Sequence, residues 1–185
     1  MNAYDFDKTI FYPDSSACFI RYCLRHYPRA VLRAFPATCP VGLRWLLKQA
    51  ETKELKEKLF SFLPYLDNVD QIVAEFWDAY RGHIQDWYLE QRRNSDLIIS
   101  ASPEFLIRPA CERLGIRCVI GSPVDKRSGL FLGRNCHGEE KVSRFRARFP
   151  GERIDQFYSE SRSDAPLAAL AQQAWLVRGD RLLPW

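Results

Sequence analysis

Asp5 and Asp7 stand two positions apart in YDFDKT, with Thr9 two positions further on. Along an extended chain, residues i and i+2 point to the same side, so the two carboxylates face one site. Like charges held that close repel each other. A hard divalent cation, which takes carboxylate and carbonyl oxygens, removes the repulsion, and magnesium is the natural candidate. Thr9 offers a hydroxyl and a backbone amide where the chain turns, both suited to a phosphate oxygen. An Asp-x-Asp in a polar loop is common, so the pair takes its meaning from what accompanies it.

Three later stretches accompany it. IISAS carries Ser100 at the end of an apolar run, where its hydroxyl would emerge at the carboxyl edge of a sheet. GEEKV places Lys141 at the start of a helical pattern, an awkward position for a cation unless an anion is present. YSESRSDAP puts Glu160 and Asp164 just after a strand, Asp164 near the next helix start. Each has a bland alternative: a turn hydroxyl, a solvated lysine, a helix cap. Their order on successive strand ends favours a common site.

The elements that would position these residues are legible from residue 96 onward. DLIIS (96–100), IRCVIGS (116–122), RIDQFYS (153–159) and AWLVRG (174–179) read as buried strands. Helical patterns separate them: PEFLIRPACERLG (103–115), EEKVSRFRARF (139–149) and DAPLAALAQ (164–172). VDKRSGLFLG (124–133) has the turn residues of a small β-hairpin. Strands alternating with helices imply a parallel α/β sheet with right-handed crossovers, to which residues 2–6 add one strand. Residues 15–90 break the rhythm with aromatic, leucine and arginine residues at helical spacing. The expected organisation is a core of 1–14 and 91–185 with a helical insertion over 15–90, which puts the end of the first strand at the junction. Ligands in open α/β sheets gather there, beyond the carboxyl ends of the strands.

D5-F-D7-K-T9, I-I-S100, K141-V and Y-S-E160-S-R-S-D164-A-P resemble, in order and spacing, the four motifs of the haloacid dehalogenase (HAD) superfamily. The likeness is closest to its phosphoserine-phosphatase-like branch, whose members carry a helical cap after the first motif. It covers almost the whole chain. The resemblance implies a Rossmann-like core, Mg²⁺ dependence and hydrolysis of a phosphomonoester. Residue by residue it implies Asp5 as nucleophile, Asp7 as general acid and base, and Thr9, Ser100 and Lys141 as the phosphoryl cradle. Asp5, Asp7, Glu160 and Asp164 would form the metal site. The chain departs from the family in having Ser159-Glu160 where Gly-Asp is frequent. A metal and Lys141 would keep Asp5 ionised, while Asp7, beside another negative charge, would have a raised pKa. Other outcomes are transfer of the phosphoryl group to an acceptor alcohol, action on a lipid-like phosphate ester, and a phosphate-binding module with a decayed site.

Asp14 faces two readings: a cap for the helix pattern ACFIRYCL, or a contact to a polar group of the substrate. Between Arg21 and Lys58 basic residues (Arg21, Arg25, Arg29, Arg33, Arg44, Lys48, Lys53, Lys56, Lys58) outnumber acids (Glu51, Glu54, Glu57), which suits either solvated helix faces or an anionic substrate group. Trp45, Phe60, Phe62, Trp77 and Trp87 read as helix packing. A basic, apolar insertion could also touch a membrane surface.

The remaining composition narrows the class. A net charge of +4 is mild for a nucleic-acid binder, so none is expected as a partner; a small phosphorylated metabolite is. Cys18, Cys23, Cys39, Cys111, Cys118 and Cys136 contain no C-x-x-C pair, and Cys136 beside His137 lacks the second pair a zinc site needs. No run approaches a membrane span, and no basic-then-apolar leader opens the sequence. A reduced, cytoplasmic enzyme is the expectation.

Overall fold

The computed structural model describes residues 1–34 and 52–185. Cys39, Arg44, Trp45, Lys48 and Glu51, named above, lie outside the described residues, as do the side chains of Lys53 and Glu54. The chain starts with β1 (Ala3–Tyr4) and then runs through α1 (Ser15–His26), α2 (28–34), α3 (Thr52–Leu59), α4 (Val69–Tyr80) and α5 (Asp86–Gln91). The alternating part follows: β2 (Leu97–Pro103), α6 (Glu104–Arg113), β3 (Cys118–Ser122), α7 (Glu139–Arg148), β4 (Ile154–Ser159), α8 (Ala165–Ala168), β5 (Ala171–Arg178) and β6 (Arg181–Pro184).

These strands form one six-stranded sheet in the order β3-β2-β1-β4-β5-β6. The first five are parallel and β6 runs antiparallel to β5. The fold is α/β, as the strand-helix alternation predicts, and Rossmann-like, as the family resemblance implies. Alternate residues of each strand enter opposite faces, as the pleat requires. Tyr4, Ile98, Val119 and Tyr158 join the aromatic cluster under α1, α4 and α6, which contains Phe19, Phe76, Trp77 and Leu106. Ala3, Leu97, Ile99, Ile120 and Phe157 pack on the other side against Val142 and Phe145 of α7 and Leu167 of α8. Strands covered on both faces read as continuous apolar runs, which is why they are visible in the sequence.

The chain winds outward from β1 through β2 to β3, then returns to place β4 on the other side of β1. Such a reversal opens a crevice beyond the carboxyl ends of β1 and β4. Local caps fix the elements around it. The Asp14 carboxylate accepts from Ala17 N at 2.9 Å to start α1, and Asn68 accepts from Gln71 N at 3.2 Å to start α4.

Four elements differ from expectation. β2 continues past Ser100 to Pro103, so Ser100 lies within the strand. The helix expected over 164–172 is the short α8, because Ala171 and Gln173 are drawn into pairs with Ile154 and Gln156 of β4; sheet pairing overrides alanine's helix preference. β6 was not foreseen: it folds back after the turn at Gly179, which has φ +63°. The hairpin over 124–133 shrinks to a single bridge between Val124 and Phe131. At its tip Gly129, with φ +77°, lies so close to α3 that an added Cβ would sit 2.4 Å from the Phe60 carbonyl oxygen.

Candidate active site

β1 ends where Asp5 N donates to Tyr158 O at 2.8 Å, and the chain then turns tightly at Lys8, which has φ 54°. That turn delivers Asp5 and Asp7 to the crevice. Ser100 arrives on β2, Lys141 on the first turn of α7, and Glu160 and Asp164 on the loop after β4. All six line one cavity of about 630 Å³, with Asp14 at the start of α1.

At its centre Lys141 Nζ donates to Asp5 Oδ1 at 2.8 Å and to Asp164 Oδ2 at 2.7 Å. The lysine is buried, and burial alone would pull its ammonium down. The two carboxylates win and hold it well above the usual lysine value. Asp164 Oδ2 also accepts from the Ser159 hydroxyl at 2.7 Å. Asp7 is held separately: Oδ1 accepts from Ser15 N at 2.6 Å, and Oδ2 accepts from the Ser102 hydroxyl.

Both aspartates sit above the ordinary carboxylate range. Burial pushes both up, Asp5 to about 7 against the opposing pull of Lys141, and Asp7 to about 6 with Asp14 adding to the rise. The cause is shared: both carboxylates have left water, and burial disfavours their charged forms.

Thr9 stands apart. It is fully buried, its hydroxyl accepts from Glu160 N at 3.0 Å, and it does not line the cavity. Its place is under the site, fixing the loop that carries Glu160. Asp14 satisfies both readings of it, capping α1 while also lining the cavity. Ser102 is the residue the sequence reading missed. It lies two positions beyond Ser100 on the same strand, so the S-x-S spacing that puts both hydroxyls on one side was the available signal. Lys56 is a second addition, distinguishable in sequence only as one cation among many. Its Nζ donates to Ala101 O at 3.0 Å and Asn135 Oδ1 at 3.3 Å, tying α3 to the core. Burial lowers its pKa, while Asp7, Asp14 and Asp5 pull it back up.

Among the described residues five carboxylates (Asp5, Asp7, Asp14, Glu160, Asp164) line the cavity against three cations (Arg21, Lys56, Lys141). A hard divalent cation suits that excess. Among the described residues, however, no three acidic, histidine or cysteine side chains converge as a metal group. The oxygens of Asp7 are taken by Ser15 and Ser102. Asp5 Oδ2, Asp164 Oδ1 and the Glu160 carboxylate carry no hydrogen bond among the described residues, apart from a loose 4.0 Å approach of Arg178 to Glu160. The Cys136 thiol is buried and pushed up to about 11 by that burial. Among the described residues no helix is long and apolar enough to cross a membrane.

The family model of haloacid dehalogenase-like hydrolases matches residues 3–169, and the chain belongs to that family. It is a hydrolase of HAD type, with the fold of the phosphoserine-phosphatase-like branch. Among particular proteins it is similar to protein CicA of Caulobacter vibrioides (strain NA1000 / CB15N), 28% identical over 92% of this chain and 82% of that one. A histidinol-phosphatase of Neisseria meningitidis serogroup C (strain 8013) is 31% identical over 60% of this chain and 56% of its own length. A solved protein of unknown function from Bordetella pertussis Tohama I superposes with a TM-score of 0.76 at 18% identity, covering 94% of this chain and 87% of that one.

Proposed function

We propose that the protein is a magnesium-dependent phosphatase that hydrolyses a small phosphomonoester through an aspartyl-phosphate on Asp5. The observation that carries this reading is the Asp5–Lys141–Asp164 chain of contacts at the sheet's carboxyl edge, with Asp7 beside it on the same turn. The name of the histidinol-phosphatase relative agrees with it. Asp5, Glu160 and Asp164 have oxygens to hold Mg²⁺, which supplies positive charge against the phosphoryl oxygens and keeps Asp5 ionised. Asp7, its side-chain oxygens already engaged by Ser15 N and Ser102, would not serve as a side-chain ligand. The helices of 15–90 act as the cap over the leaving group.

Asp5 attacks phosphorus in line, forming the Asp5 O–P bond as the ester P–O bond breaks. Asp7, protonated at the outset, gives its proton to the departing alkoxide, which leaves as the alcohol. Asp7 then takes a proton from the water that attacks the aspartyl-phosphate, and inorganic phosphate leaves. Lys141 and Ser100 hold phosphoryl oxygens throughout. Asp164 and Ser159 position Lys141. Thr9 supports the Glu160 loop from below.

The test is a panel of phosphate monoesters assayed with and without Mg²⁺, alongside Asp5→Asn and Asp7→Asn. Turnover is expected only with the metal. Asp5→Asn should abolish it, and Asp7→Asn should lower kcat by about 10²–10⁴-fold. Magnesium-dependent turnover that survives Asp5→Asn would refute the assignment.

A further inference from the structure

The cavity has two chemically different ends. Its floor holds the carboxylates and Lys141. Its far wall is made by two helices. Ala17, Ile20 and Leu24 recur on α1 at intervals of three and four, and Leu55 and Leu59 recur on α3 at an interval of four, so each helix contributes one apolar stripe. Leu24 is 46% exposed, a large aliphatic surface left to water inside a concave site.

The charged groups beside this wall are Arg21, Lys56 and Asp14. Arg21 lies on the same side of α1, but its guanidinium donates to the Tyr80 hydroxyl at 3.4 Å. Lys56 turns its ammonium to Ala101 O and Asn135 Oδ1, and the Asp14 carboxylate caps its own helix. Among the described residues the wall offers two apolar stripes, with Arg21, Lys56 and Asp14 beside them. Apolar surface kept in contact with water is unfavourable until hydrocarbon covers it.

Resting on the phosphatase reading above, we propose that the alcohol half of the substrate is apolar: an alkyl-type phosphate monoester whose chain lies between α1 and α3 while its phosphate meets Asp5. A phosphorylated amino acid, with no alkyl chain beyond its single methylene, would leave both apolar stripes uncovered. Such a chain could belong to a free ester or to one anchored in a bilayer, and the two share this chemistry.

The experiment measures kcat/KM with Mg²⁺ for methyl, butyl, hexyl and octyl phosphate and for phosphoserine. The expected result is a rise of about three-fold per added methylene up to hexyl, with phosphoserine well below butyl phosphate. Leu24→Gln and Leu55→Gln, at sites with solvent access, should each lower the octyl-to-methyl ratio several-fold, with thermal unfolding recorded for both. A further arm presents hexadecyl phosphate in phosphatidylcholine vesicles; turnover there assigns the ester to a membrane, and turnover of soluble esters alone assigns it to a free metabolite. A flat series, or phosphoserine exceeding the alkyl esters, while Asp5-dependent turnover persists, overturns this inference and leaves the phosphatase reading standing. Absence of turnover on every ester overturns the phosphatase reading itself. The wild-type series decides the matter even if a variant fails to fold.

Discussion

Ser102 shows how one side chain governs another at this site. Its hydroxyl donates to Asp7 Oδ2, and that bond favours the charged carboxylate, opposing the rise that burial imposes. Ser102→Ala removes the bond and leaves the position of Asp7 to Ser15 N alone. Hydrogen bonds to charged groups are worth about 1.5–3 kcal/mol. Steady-state kinetics should therefore show kcat reduced roughly ten- to a hundred-fold, with the fold unchanged by circular dichroism.

Asp96 makes a different residue-scale argument, away from the cavity. One carboxylate oxygen accepts from Arg93 N at 2.7 Å; the other is buried and has no hydrogen-bond partner among the described residues. Burial raises its pKa above the ordinary carboxylate value. The folded chain thus binds this proton more tightly than the unfolded chain does. Its stabilising contribution is fully present below the unfolded value and is lost as pH rises through the folded one. Asp96→Asn keeps the acceptor for Arg93 N and removes the charge. At pH 7 the variant should unfold about 2–4 °C above wild type, for a gain of roughly 1 kcal/mol, and the difference should shrink as pH falls below the carboxylate range.

At the scale of elements, three described contacts tie α3 and the residue after it to the core. Lys56 joins it to β2, the Glu57 carboxylate accepts from Phe131 N at 3.1 Å, and the Phe60 backbone rests against Gly129. Gly129→Ala forces a Cβ into that carbonyl and strains a positive φ as well, so the hairpin and α3 must separate. The expected cost is about 2 kcal/mol in chemical denaturation, with raised KM because Phe60, Leu59 and Leu55 line the cavity. Elements of this kind explain what the sequence could and could not reveal. β2 and β4 were legible because both faces are buried, and Asp5, Asp7 and Asp164 because they sit at fixed short offsets from such runs. Ser102 escaped because β2 runs three residues beyond the point where its apolar character ends. β6 escaped because its four residues, Arg181 to Pro184, are too short and too exposed to show a period. Lys56 escaped for another reason: its role depends on α3 folding back over β2, and no local pattern encodes that return.

At the scale of the whole molecule, the strand at the middle of the sheet comes first in the chain. Ala3 pairs with Leu97 on one side and with Phe157 on the other. Neither neighbour is local. Long loops must close before either pairing returns energy, which makes assembly of such a sheet intrinsically slow. During synthesis, Tyr4 waits for the ribosome to deliver Tyr158 before its strand is enclosed, and the turn bearing Asp5 and Asp7 meets Lys141 and Asp164 only at that late stage. The enclosure of that turn therefore waits for β4: a nascent chain halted before it holds both aspartates of its first motif with no closed cavity around them.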